Sequence, residues 1–129
     1  MKAKFQTLIG TAMLGWALVS QSLPAWAGAV SLPQVAVGPA SAGGSMAGAR
    51  YSVDSQQYIG CRFSNTTGPY VVCAARDNTG KSLFCTSAES RYLAAAKAIT
   101  DFSHISFDVA PGSTACTRLA VDNYSYHLK

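Results

Sequence analysis

His104, Ser106 and Asp108 stand at alternate positions and include the residue types of a base, a nucleophile and an orienting carboxylate. On a strand, however, side chains at i and i+2 are separated by about 7 Å, too far for direct nucleophile–base contact. No G-x-S-x-G elbow frames Ser106. Polar alternation on a solvent-facing side accounts for the trio more simply. A small nuclease would combine a His pair, or Glu with His, and a cation at the phosphate. The residues available for that are His104, His127, Glu89 and Arg91, and His127 lies third from the end, where chains fray. Asp77-Asn78-Thr79-Gly80 has the composition of a calcium loop without its later acidic ligands, and reads as a turn. No catalytic residue, metal site or cofactor is therefore assigned. A small secreted hydrolase or nuclease using His104 is the alternative to a non-enzymatic protein.

Cysteine offers a firmer chemical signal. Cys61, Cys73, Cys85 and Cys116 include neither a C-x2-C pair for zinc nor a redox C-x-x-C. An even count behind an export signal implies two disulfides. Cys61 and Cys73 are symmetric about Thr67, and Cys73 and Cys85 about Thr79; both centres fall in turn sequences. If both hairpins pair in those registers, the three cysteines form one row across three strands. Strands lie ~4.8 Å apart, so Cys61 and Cys85 are about 10 Å apart, beyond bridging distance. Two connectivities remain: 61–73 with 85–116, or 73–85 with 61–116. The first is preferred, because Cys85 ends its strand just before the helix and Cys116 begins the last strand. The 85–116 bridge then ties the meander to the C-terminal hairpin and is the longer, more stabilising closure of that pairing's two.

The elements that position these residues follow from pattern and punctuation. Residues 1–27 read as a signal peptide: Lys2 and Lys4, an apolar run from Leu8 to Val19, then Ala25-Trp26-Ala27 as a small-x-small cleavage site. The apolar run is too short for a membrane span. Residues 28–48 are small, Gly/Ala/Pro-rich and free of charge, and read as a flexible leader, with a short edge strand at 34–37 as the alternative. Residues 49–129 form the folded domain. Strands are expected at Ala49–Val53, Gln57–Phe63, Tyr70–Arg76, Lys81–Cys85, His104–Val109 and Thr117–Asn123. A helix is expected over Ala88–Thr100, from the stripe Ala88, Tyr92, Ala95, Ala96 and Ile99, with Thr86 and Glu89 as a capping box. The fold class is thus α+β: one small antiparallel sheet of five to six strands in βββαββ order, one helix on one face, and two disulfides.

Strand alternation then sorts the faces. Ile59, Cys61, Phe63, Val71, Cys73, Ala75, Leu83 and Cys85 take the core side. Tyr58, Arg62, Tyr70, Arg76 and Phe84 take the other, with Phe84 reaching toward Gly60 to fill the gap that glycine leaves. Two arginines among aromatics suit a carboxylate, a phosphate or a protein partner. The bland reading is a set of ordinary cross-strand pairs, some covered by the leader. Asn65-Thr66-Thr67 and Asn123-Tyr124-Ser125 have the form of glycosylation sequons.

Ser45-Met46-Ala47-Gly48-Ala49-Arg50-Tyr51 is similar to the S-x-x-G-A-R-Y segment of periplasmic lysozyme inhibitors. The similarity covers these seven residues of 129, and in that family the segment lies late in the domain. The resemblance implies that Ser45 and Arg50 reach the acidic cleft of a lysozyme.

Composition excludes whole classes. Charged residues make up 12% of the chain, too few for a coiled coil or a polyelectrolyte. Cleavage before Gly28 removes Lys2 and Lys4, leaving 8 basic residues against 6 acidic ones, a net charge of +2. Dispersed arginines at +2 do not make a nucleic-acid-binding field. Both tryptophans, Trp16 and Trp26, leave with the signal, which weakens a sugar-stacking reading. The expectation is a small monomeric binding module, secreted or periplasmic, without nucleic-acid or membrane association, directed at a protein or anionic ligand. An inhibitor of a secreted hydrolase fits this description, and a structural component of the cell surface or periplasm is a third class.

Overall fold

Two turn-rich hairpins and a C-terminal strand pair dominate the chain, but they do not share one sheet. The computed structural model describes residues 30–127; residues 1–29, which include the expected signal segment 1–27, residues 128–129 and the side chain of His127 lie outside the described residues. The elements run β1 (Ala36–Val37), β2 (Ser41–Ser45), α1 (Met46–Arg50), β3 (Tyr58–Ser64), β4 (Tyr70–Arg76), β5 (Ser82–Ser87), α2 (Ser90–Lys97), β6 (His104–Val109) and β7 (Cys116–Asp122), then a 3-10 turn, Ser125–His127. The class is α+β and every strand pair is antiparallel. β3, β4 and β5 form a three-stranded meander, while β1, β2, β6 and β7 form a second sheet in that spatial order.

The single expected sheet is therefore two, and the reason is β2. Ala42 pairs with Phe107 and Gly44 with Ile105, so β6 has β2 on one side and β7 on the other. The inner faces of the two sheets then meet. Ile59, Val71, Cys73, Ala75 and Cys85 from one sheet form a core with Ala42, Ile105, Phe107, Val109 and Cys116 from the other. Burial of this kind is worth roughly 1.5–3 kcal/mol for each large aliphatic or aromatic side chain. The helix expected over 88–100 is shorter, Ser90–Lys97, and it bridges the sheets by contacting β3, β4 and β7. Tyr92 is its buried residue. Thr86 belongs to β5, not to a cap; Glu89 takes the N-cap position without a side-chain capping bond, and its N–H is held by the Ser87 hydroxyl.

Residues 28–48 do not form a flexible leader where they are described. Val35 and Val37 are buried at 5% and 9% exposure, and β1 and β2 are ladder strands. The 32–35 segment crosses so near the backbone that a Cβ on Gly44 would lie 2.8 Å from the Val35 Cα. One on Gly48 would lie 2.5 Å from the Pro33 carbonyl oxygen. These glycines permit a close approach that any side chain would block. The strand expected at 49–53 is also replaced: Ala49 and Arg50 end α1, whose start is capped by the Ser45 hydroxyl, which accepts the Gly48 N–H at 3.1 Å.

The disulfides are Cys61–Cys73 and Cys85–Cys116. The first joins directly opposed residues of β3 and β4; the second staples β5 of one sheet to β7 of the other. The register places Cys61, Cys73 and Cys85 in one row, as the equal spacing requires.

One loop depends on ionisation. Asp54 accepts hydrogen bonds from the Gln57 side chain and from the Gln56 and Gln57 amides, and these bonds hold its pKa down to about 2. Gln57 in turn accepts the Val35 N–H at 2.8 Å, which ties the 51–57 loop to the N-terminal segment. A folded pKa below the unfolded value gives stabilisation that is complete above ~4 and lost as pH falls toward 2. Exchange protection of the Val35 amide should therefore be constant from pH 7 to pH 4 and decline below that. In Asp54→Asn the protection should be lower and this dependence absent, as amide hydrogen exchange would show.

Candidate functional site

The outward face of β3–β4–β5 is laid out by its registers as a small grid. Tyr58 opposes Arg76, which opposes Ser82; Gly60 opposes Ala74, which opposes Phe84; Arg62 opposes Val72, which opposes Thr86. Tyr70 opposes Ser64 at the next position. All five residues expected on this face, Tyr58, Arg62, Tyr70, Arg76 and Phe84, thus share it. Tyr58 and Phe84 are 47% and 51% exposed, high values for large apolar side chains. Arg62 is exposed, while Tyr70 and Arg76 are half-buried.

Phe84 does not cover Gly60. A Cβ placed there would meet nothing within 4 Å, so the middle of the face is an open hollow floored by Gly60 and Ala74. Tyr58 and Arg76 bound it at one end, Arg62 at the other, and Phe84 along the β5 side. None of the grid residues is acidic. Among the described residues neither Arg62 nor Arg76 enters an ion pair, and the buried Nε of Arg76 has no hydrogen-bond partner. The two arginines are four residues apart along the strands and one strand apart, roughly 14 Å between Cα atoms. The leader expected to cover this face instead forms β1 and β2 of the other sheet.

On that other sheet, the trio His104, Ser106 and Asp108 is occupied by cross-strand neighbours. Arg118 grips Asp108 through Nε at 2.6 Å and a terminal nitrogen at 3.1 Å, and its other terminal nitrogen reaches Ser106 Oγ at 3.3 Å. The Arg118 guanidinium accordingly holds the Asp108 carboxyl below the usual carboxylate range, with burial opposing it. His104 Nδ1 lies 3.8 Å from Asp122. Glu89 and Arg91 pair with each other at 2.7 Å on the exposed start of α2. In the 77–80 turn, Asp77 Oδ1 accepts bonds from the Thr79 hydroxyl and from the Thr79 and Lys81 amides. Asp77 is therefore spent on turn geometry. Asn123, in the second sequon, donates to the Ala98 carbonyl at 3.0 Å and accepts the Ser103 hydroxyl.

The pair implied by the S-x-x-G-A-R-Y resemblance is split. Ser45 is fully buried as the α1 cap, while Arg50 is exposed in the last turn of that helix. Arg50 joins residues that strand alternation does not bring together: with Tyr51, Tyr58, Asp101 and Phe102 it lines a cleft of about 500 Å³ beside α1. Asp101 and Phe102 come from the turn after α2, so only the tertiary fold shows this neighbourhood.

Comparison with protein-family models, with curated proteins and with solved structures finds no match to the chain.

Proposed function

We propose that this chain is an exported, non-enzymatic binding module that captures an acidic protein surface through the outward face of β3–β4–β5. One observation carries the reading. Arg62 and Arg76 flank an open hollow, uncommitted to any carboxylate of their own fold, on a face with exposed Tyr58 and Phe84. Arginine and aromatic side chains of this kind dominate protein interfaces, because each buries a large area and arginine forks a carboxylate. The carboxylate-bearing cleft of a secreted hydrolase offers the matching charge, and inhibition follows if the module seats there. Export is supported by the order of the three signal regions in residues 1–27 and by two disulfides, which persist in oxidising compartments. Among the described residues no helix is long and apolar enough to cross a membrane.

The test is affinity capture from the secreted or periplasmic fraction of the source cells, with Arg62→Ala and Arg76→Ala beside the native protein. Each substitution should reduce recovery of the partner at least ~10-fold, the loss of one charge-assisted contact at an interface. Arg62→Ala should leave the melting temperature within ~2 °C, because that side chain is exposed. Undiminished capture by both variants would make the face structural only. Hydrolase activity in the captured fraction, inhibited by added module, would establish the target class.

A further inference from the structure

We infer that the cleft beside α1 is a second binding site, for a short peptide with both termini free and an apolar side chain. The cleft has a volume of about 500 Å³, within the range of small-ligand sites and suited to a dipeptide. Its walls combine two kinds of surface. Met46 and Ile59 with the rings of Tyr51, Tyr58 and Phe102 give an apolar body, while Arg50 and Asp101 supply one positive and one negative charge.

Among the described residues, neither Arg50 nor Asp101 enters an ion pair or a side-chain hydrogen bond, with each other or with anything else. Opposite charges that share a cleft and leave each other unpaired set the charge pattern of the ligand. Arg50 forks a carboxylate, and Asp101 takes an ammonium. A ligand with one charge satisfies one of them and desolvates the other without return, which selects against simple anions and cations alike. A peptide zwitterion satisfies both and lays its side chain against the aromatic wall. The cleft shares Tyr58 with the β3–β4–β5 face, but Arg50 and Asp101 lie outside that face, so the charge preference they set is read separately from partner capture there.

The probes are phenylalanyl-leucine, its N-acetyl form lacking the ammonium, and its C-terminal amide lacking the carboxylate. Each is titrated to about 10 mM into the oxidised protein, a range that detects millimolar affinity, while the Tyr51, Tyr58 and Phe102 ring signals are followed by NMR. The free dipeptide should bind about 10-fold more tightly than either capped form, one charged contact being lost in each. Arg50→Ala should erase the preference for the dipeptide over its amide and keep the preference over the N-acetyl form; Asp101→Asn should do the reverse. Both side chains are exposed, so neither substitution removes packing from the core. Equal affinity for all three probes, or preferences unaltered by the two substitutions, would overturn the assignment. Ring signals unmoved by every probe would also overturn it and would leave Arg50 and Asp101 as a solvated charge pair.

Discussion

A chain trimmed to begin at Ala49 should be unfolded at room temperature, with a far-ultraviolet spectrum that lacks sheet structure. The trim removes β1, β2 and most of α1, and it leaves β6 without the partner of five of its residues. It strips Val35 and Val37 from the core, costing roughly 3–6 kcal/mol for the two side chains by area transfer. It also exposes Ile105 and Phe107, which are fully buried in the intact chain. Domains of this size hold ~5–15 kcal/mol in total, so the combined loss exceeds what the remainder can bear. A leader would give the opposite result: the trimmed chain would keep its urea midpoint, and the Ile105 and Phe107 amides would stay protected.

Replacing Cys85 and Cys116 together by Ala should cost roughly 3.5–4 kcal/mol from loop closure, since 31 residues separate them. The same change at Cys61 and Cys73, separated by 12 residues, should cost roughly 3 kcal/mol. The larger figure belongs to the bridge that spans the two sheets; the smaller belongs to one within a single hairpin. Cys85 and Cys116 are 0% and 5% exposed, so the lost sulfur contacts add a packing cost on top. Urea denaturation of the two double variants measures the order directly. Phe84 and Thr86 flank Cys85 on β5, so opening its bridge should also loosen one side of the candidate face. Equal midpoints for the two variants would show that the inter-sheet staple adds nothing beyond the hairpin one.

Equal cysteine spacing and the turn residues between them made the meander legible. Tyr58 opposite Arg76, Gly60 opposite Ala74 and the cysteine row all follow from centring the hairpins on Thr67 and Thr79. Alternation then put the five side chains of the candidate face on one side, because a strand has no other choice. β2 was illegible for a physical reason. Ser41-Ala42-Gly43-Gly44-Ser45 contains no β-branched or aromatic residue, and pairing with β6 imposes its extended state. The assignment of hairpins to two sheets is equally hidden, since alternation reports which face is buried but not which strands are neighbours. α1 is a short helix whose start is capped locally by Ser45, while its glycine is required by the close approach of Pro33, a tertiary matter. The Arg50–Asp101 cleft joins residues distant in sequence. The open hollow at Gly60 reverses the expectation that Phe84 lies over it.

The claim that Arg62 and Arg76 make the capture surface is tested most directly by one equilibrium measurement. The affinity of the captured partner is determined for the native protein and for the double variant Arg62→Glu with Arg76→Glu, at low and at physiological salt. Reversing two interfacial charges against an acidic surface should weaken binding by ~100-fold or more, and the native affinity should fall as salt rises. A double variant that remains folded and binds within about threefold of the native protein would contradict the assignment of this face.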